Sequence, residues 1–291
     1  MIEPRRPLAA RGADAVWTAL VWTTPLTVLL FVAWMAGDIL AHGLPGIDWA
    51  FLTEAPRRAG RQGGIGPILV STLLILFVCL AVSLPLAVAT ALLLSEFVPR
   101  SHRGARLVRL SLDVLAGVPS IIFGIFGNAF FCKFLGMGFS IVSGGLTLAC
   151  MCLPVLIRTT EQSLTAVPRS YRLGAAALGF GKASTIIRVI LPVALPGIMI
   201  GTLLGVGRSL AETAALIFTS GYVDRMPASL WDSGRALSVH IFDLSMNVSG
   251  GDANAYKSAV VLLGLLLSIN GAVLWMSRLW QRLAGLSPAA K

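Results

Sequence analysis

The sequence predicts an all-α integral membrane protein with six transmembrane helices, and three observations carry that expectation. Of 291 residues, 56% are hydrophobic and only 12% charged, with a mean hydropathy of +0.83. That leaves too little polar surface to cover a soluble globule of this size. Uncharged runs occur at 15–37, 65–95, 114–132, 134–157, 189–207 and 258–277, each long enough to supply the roughly 20 apolar residues that cross a hydrocarbon core as a helix. The basic residues between the runs crowd into alternate loops.

That alternation sets the expected orientation. The net charge of +10 could point to nucleic acid, but its distribution follows the positive-inside rule instead. With both termini in the cytoplasm, 15 of the 23 Lys and Arg fall inside, at Arg5, Arg6 and Arg11, at 100–109, at 158–188, and at Arg278, Arg282 and Lys291. Seven fall outside, including the cluster Arg57, Arg58 and Arg61, and Arg208 alone lies within a span. The N-terminal basic residues before an apolar run resemble a signal peptide, but the run exceeds the roughly 7 to 15 residues of a signal core. A retained first helix is expected.

The first helix, near 16–40, is set apart by a Gly-, Pro- and Arg-rich outer loop, HGLPGIDWAFLTEAPRRAGRQGGIGP. This divides the chain into a peripheral helix with its loop (1–63), a transmembrane core (64–284) and a short cytoplasmic tail (285–291). The second span, 68–94, contains Pro85, tolerable where neighbours satisfy the freed carbonyl. The basic inner loop PRSHRGAR turns the chain back. The third span opens with LDVLAGVPSIIFGIFG, whose Gly117, Pro119, Gly124 and Gly127 predict a bend, either in a pore-lining layer or at an ordinary helix contact. The fourth span returns to the cytoplasm at Arg158, with Arg158 and Glu161 as interfacial charges. Residues 159–188 stay inside as short helices broken at Gly179 and Gly181. The fifth span runs from Pro192 to about Thr219, and an outer loop, 221–256, leads to the sixth. Asp224, Asp232, Asp243 and Asp252 in that loop match no calcium-binding spacing and are expected on a solvated surface that meets an external partner.

Few residues could carry chemistry. GFGKAS at 179–184 looks like a phosphate-binding loop, yet Ala176 stands at the first glycine position and Ala183 follows the lysine, so the motif fails. The four cysteines have no companion His cluster, and His42, His102 and His240 are isolated. No catalytic residue, cofactor or metal is expected. Arg208 and Glu212 stand apart, because ionisable residues inside a span are expensive and mark functional sites. Four positions apart, they could meet on one helix face. They form either a neutral strut or an oxyanion-binding guanidinium oriented by Glu212 on a translocation path.

The inner loop resembles the coupling region of binding-protein-dependent ABC importer permeases, with consensus Glu-Ala-Ala, three residues, Gly, nine residues, Ile, one residue, Leu-Pro. Placing the glycine on Gly179 puts Leu173, Gly174 and Ala175 at the Glu-Ala-Ala positions, Val189 at the isoleucine and Leu191-Pro192 at the end. Leu173 replaces the usual glutamate, leaving Arg172 and Lys182 as the available charges. Within that family the chain resembles the A-type permeases of phosphate-specific ABC importers, through FLTEAPRRAGRQGGIGP (51–67), GVPSIIFGIFG (117–127), LPVLIRTTEQSLTAVPRSYR (153–172), GVGRSLAETAALIFTSG (205–221) and LSVHIFDLSMNVSGGDANAY (237–256).

The resemblance implies a type I ABC importer permease bundle with a cytoplasmic coupling helix, in a bacterial inner membrane. It implies a homologous C-type permease, two copies of a cytoplasmic ATPase and a periplasmic phosphate-binding protein as partners. Arg208 and Glu212 fall on the family's transport-linked pair, and Arg172, Leu173, Gly174, Ala175, Gly179 and Lys182 on the ATPase-coupling segment. The rivals are a permease for another oxyanion such as molybdate or sulfate, or for a small solute. A secondary transporter would show inverted repeats, which the sequence lacks; a membrane enzyme would need a nucleophile, base or metal set; a structural subunit leaves the coupling-like loop unexplained.

Overall fold

The computed structural model describes residues 8–99, 101–283 and 285. The expected tail lies outside the described residues save for Gly285, as do Arg5, Arg6, Arg100 and Lys291. Among the described residues, twelve α-helices run in order: α1 Leu8–Gly43, α2 Trp49–Thr53, α3 Gly66–Leu92, α4 Arg103–Ala116, α5 Ser120–Gly127, α6 Ile141–Thr165, α7 Arg169–Ala177, α8 Lys182–Thr185, α9 Leu191–Ala211, α10 Ala214–Ile217, α11 Leu237–Met246 and α12 Asp252–Leu283. π-Helical turns at Leu93–Phe97, Asn128–Phe134 and Ile186–Ile190 extend α3 and α5 and lead into α9.

Among the described residues, five helical segments are long and apolar enough to cross a membrane, and there are six if a bent pair counts as one span. The chain is therefore a multi-pass membrane protein. The third span differs most from expectation. The basic loop is itself helical: α4 starts at Arg103, and the axis then turns by 101° before the segment Ser120–Phe134. Gly117 and Pro119 sit at the turn, where proline disfavours a helical residue before it. The bend anticipated from the sequence is present and sharper than a kink.

The core is a slab of α3, α6 and α9. Small residues let these helices approach closely: a Cβ on Gly145 would lie 2.6 Å from Val78 Cβ, and one on Gly201 would lie 2.2 Å from Thr159 Oγ1. Around them Ile75, Cys79, Leu148, Cys152 and Leu156 are almost completely buried. Pro67 stands in the first turn of α3, where a missing N–H costs nothing. Ser140 caps α6 by accepting from Ser143 N. α1 leaves its apolar window exposed and rests against α12, where Gly43 abuts Tyr256 and Val260.

Three features differ in detail. α6 continues to Thr165, so Arg158 and Glu161 lie within the helix. α9 stops at Ala211 rather than near Thr219. The loop 221–256 is not uniformly solvated: Leu237, Val239 and His240 of α11 are buried, and Arg235 pairs with Asp243 at 3.2 Å with both side chains largely covered. The first loop forms a small hairpin, β1 Pro56–Arg57 with β2 Gln62–Gly63. Its tip carbonyl, Gly60 O, accepts from Asn254 Nδ2 at 2.7 Å and so ties the loop to α12.

Candidate functional site

Arg208 occupies the last turn of α9 and is exposed. Counted from Leu191 at 1.5 Å per residue, it lies about 25 Å along the helix. Its expected partner is elsewhere. The helix ends at Ala211, and Glu212 is extended, with φ −77° and ψ 124°. The geometry that would place the pair on one helical face is therefore lost, and no ion pair joins them among the described residues.

Glu212 does local work instead. Its Oε1 accepts from Ala215 N at 3.3 Å, capping the four-residue α10, and its carbonyl accepts from Ser238 Oγ at 2.6 Å. The break after α9 is thus pinned to α11. α10 in turn packs on the bent span: a Cβ on Gly124 would come within 2.9 Å of Ala215 Cα, and Asn128 Nδ2 donates to Phe218 O at 2.8 Å. This gives Gly124 a packing role.

Behind Arg208, Ser209 Oγ lies 3.1 Å from Cys152 Sγ and 3.6 Å from Cys79 Sγ, joining α9 to α6 and α3. The site is a guanidinium with no carboxylate partner among the described residues, held on a rigid three-helix slab. Such a group in an apolar segment calls for water, another subunit or an anionic solute to complete it.

The segment expected from the resemblance to couple to an ATPase lies at the other end of α9. α7 is followed by Gly179 at φ +76°, a left-handed turn that favours glycine. Leu173 is 60% exposed and Leu178 76%, while Ala175 is buried and Gly174 faces open space. A groove of about 380 Å³ runs along this face between Ser170, Tyr171, Gly174, Leu178, Phe180 and Val189. The face is apolar and exposed.

The two charges expected to be available there are engaged within the chain. Arg172 donates to Glu96 Oε1 at 2.5 Å, to Val167 O at 2.8 Å and to Leu164 O at 3.1 Å. Lys182 Nζ stands 4.3 Å over the ring of Phe97. Both contacts reach the π-helical turn that ends α3. Sequence reasoning missed Glu96, although an acidic residue directly after a long apolar run was a visible signal. It also missed that Arg109 and Glu161 pair at 2.8 Å, and that Arg158 pairs with Asp113.

Comparison with known proteins places this architecture. A family described as "Binding-protein-dependent transport system inner membrane component" matches residues 83–279. The "Phosphate transport system permease protein PstA 2" of Mycobacterium bovis is 30% identical over 286 residues, spanning 96% of this chain and 94% of its own length. A "Probable ABC transporter permease protein YqgI" of Bacillus subtilis is 30% identical over 254 residues, covering 82% of this chain and 86% of its own length. Among solved structures, a bacterial ABC transporter involved in import of the acidic polysaccharide alginate superposes with a TM-score of 0.59 at 17% identity, covering 93% of this chain and 98% of that one. The MetNI methionine ABC transporter in an inward-facing conformation gives 0.57 at 19% identity, covering 75% and 94%. At such identities the superpositions speak for the fold. The match over 83–279, with relatives at 30% identity along most of the chain, makes this protein a member of the binding-protein-dependent transport system inner membrane components, the permeases of ABC importers.

Proposed function

We propose that this chain is one of two permease subunits of an ATP-driven phosphate importer. It would pair with a homologous C-type permease, dock two copies of a cytoplasmic ATPase and receive phosphate from a periplasmic binding protein. It would lie in the bacterial inner membrane with both termini cytoplasmic. The observation that carries this reading is Arg208, exposed without a carboxylate partner among the described residues at the end of a long apolar helix. The names of relatives at 30% identity supply the oxyanion.

Arg208 would offer forked donors to phosphate where the two permeases meet. Glu212 would act indirectly, by capping α10 and shaping the break that holds Arg208. ATP hydrolysis belongs to the partner chain. Its closure would move α7, and the contacts of Arg172 with Glu96 and of Lys182 with Phe97 would carry that movement into α3. Arg172 and Lys182 are thus transmitters toward the membrane helices, while Leu173, Gly174 and Ala175, with the turn at Gly179, form the docking face.

The test is ATP-dependent uptake of labelled phosphate by the reconstituted complex, with sulfate and molybdate as competitors, for wild type and Arg208→Gln. Selective phosphate uptake by wild type and its loss in an assembled Arg208→Gln complex is the expected result. Normal transport by the variant would make Arg208 a structural residue, and wild-type indifference to phosphate would remove the substrate assignment.

A further inference from the structure

A second basic site lies at the α7 end of the bundle. It is a cavity of about 440 Å³ walled by Arg106 and Arg109 from α4 and by Arg158, Glu161, Gln162 and Thr165 from α6. Thr165 is the last residue of α6 and Arg169 the first of α7, so the cavity adjoins the coupling segment. It is separate from Arg208. Cys152, which touches Ser209, is also on α6, and Arg158 and Thr165 follow it by roughly 9 to 20 Å along the helix.

The charges do not cancel. Three guanidiniums face one carboxylate in the walls, and counting Asp113, which pairs with Arg158, still leaves a positive excess. Two of the guanidiniums are fixed. Glu161 Oε1 accepts from Arg109 Nε at 2.9 Å and pairs with Nη2 at 2.8 Å, and Nη2 also donates to Leu94 O at 3.0 Å. Arg158 Nη2 donates to Arg109 O at 3.1 Å and pairs with Asp113. Donor capacity remains: among the described residues, Arg109 Nη1, Arg158 Nε and Nη1, and the whole guanidinium of Arg106 have no protein acceptor. A set of ion pairs serving only to join α4 to α6 has no need of Arg106, which is exposed and bonds to neither helix.

We propose that this cavity binds a phosphate-type oxyanion at the α7 end of the bundle, with Arg109 and Arg158 as preset donors and Arg106 as the mobile one. The space accommodates a tetrahedral oxyanion together with several waters at about 30 Å³ each. Glu161 in the wall limits the affinity, as a site on a transport route requires if the ion is to leave again. The proposal deepens the phosphate-import reading by adding an exit site beyond Arg208, and it rests on that reading only for the ion's role in transport. The phosphate head of an anionic lipid offers the same chemistry as free phosphate.

Binding is measured on the intact importer without its binding protein, in nanodiscs of phosphatidylcholine with or without phosphatidylglycerol. Equilibrium dialysis with labelled inorganic phosphate reads the free ion, and native mass spectrometry reads retained phosphatidylglycerol. Arg208→Gln serves as the background so that the first site is silent. In that background phosphate binds in phosphatidylcholine, and adding Arg106→Gln weakens it about tenfold, the scale of one charge-assisted hydrogen bond, while Arg106→Lys restores most of it. Retention of phosphatidylglycerol alone, lost with Arg106→Gln, upholds the site and assigns it to lipid. No binding of either, or binding unchanged by Arg106→Gln, overturns it. Failed phosphate uptake by wild type would sink the transport reading without touching this measurement; intact uptake with an empty cavity would sink the cavity alone.

Discussion

Replacing Glu96 by glutamine should loosen the joint between α7 and the membrane core. The Glu96 side chain is 9% exposed and that of Arg172 28%, so the pair is largely shielded from solvent. Its contacts at 2.5 and 3.4 Å are the charged half of the network around Arg172, the carbonyls of Leu164 and Val167 being the other. Breaking a buried pair by removing one partner costs about 3–5 kcal/mol. The carbonyls remain and the guanidinium keeps some water, which reduces the expected loss to about 1–2 kcal/mol. The assay is a double-mutant cycle of Glu96→Gln and Arg172→Gln, read as complex stability and as phosphate transported per ATP hydrolysed. A coupling energy of about 1 kcal/mol or more, with ATP turnover persisting while transport per ATP falls in both single variants, is expected. Additive effects, or an unchanged transport ratio in Glu96→Gln, would refute the reasoning, since the pair would then carry no shared energy or no movement.

Leu173→Ala should weaken retention of the ATPase during purification, because an exposed leucine on α7 offers its apolar area to a partner; unchanged co-purification would count against the docking face. Gly201→Val should destabilise the bundle by about 1–3 kcal/mol, since even a Cβ would collide with Thr159 of α6; an unaltered thermal midpoint would contradict the close packing of α6 and α9. The loop helix α11 should open more readily in acid. Burial, aided by Arg235 and opposed by Asp243, pushes the His240 imidazole down to about 4 from its ordinary 6.5. It is therefore neutral when folded, whereas the opened form takes up a proton. Protection is full above about pH 6.5 and falls as the pH drops toward 4, measurable as faster hydrogen exchange over Leu237–Met246, and His240→Gln should flatten that window.

The places where sequence reasoning succeeded and failed share a physical pattern. The apolar runs located every span, because crossing hydrocarbon is a property of about 20 consecutive residues and is summed along the chain. Gly117 and Pro119 announced the bend through their own backbone constraints. Arg208 and Glu212 misled, because four-residue spacing predicts contact only while the helix continues, and α9 stops at Ala211. The contacts that hold Glu212, through Ser238 and the N-terminus of α10, come from chain beyond the apparent motif. Arg172 misled in the same way: its partner Glu96 is 76 residues away.

The sequence by itself determined the class of this protein and where its apolar spans lie, since hydropathy and charge asymmetry are local or additive along the chain. Only the tertiary structure decided which charges are spent and which remain free. It spent Arg172 on Glu96, paired Arg109 with Glu161 and Arg158 with Asp113, and left Arg208 and Arg106 without a carboxylate partner among the described residues. Ion pairing depends on which helices pack together. That is set by close approaches such as Gly145 against Val78 and Gly201 against Thr159, which join residues far apart in the chain and leave no local pattern from which the pairing could be read.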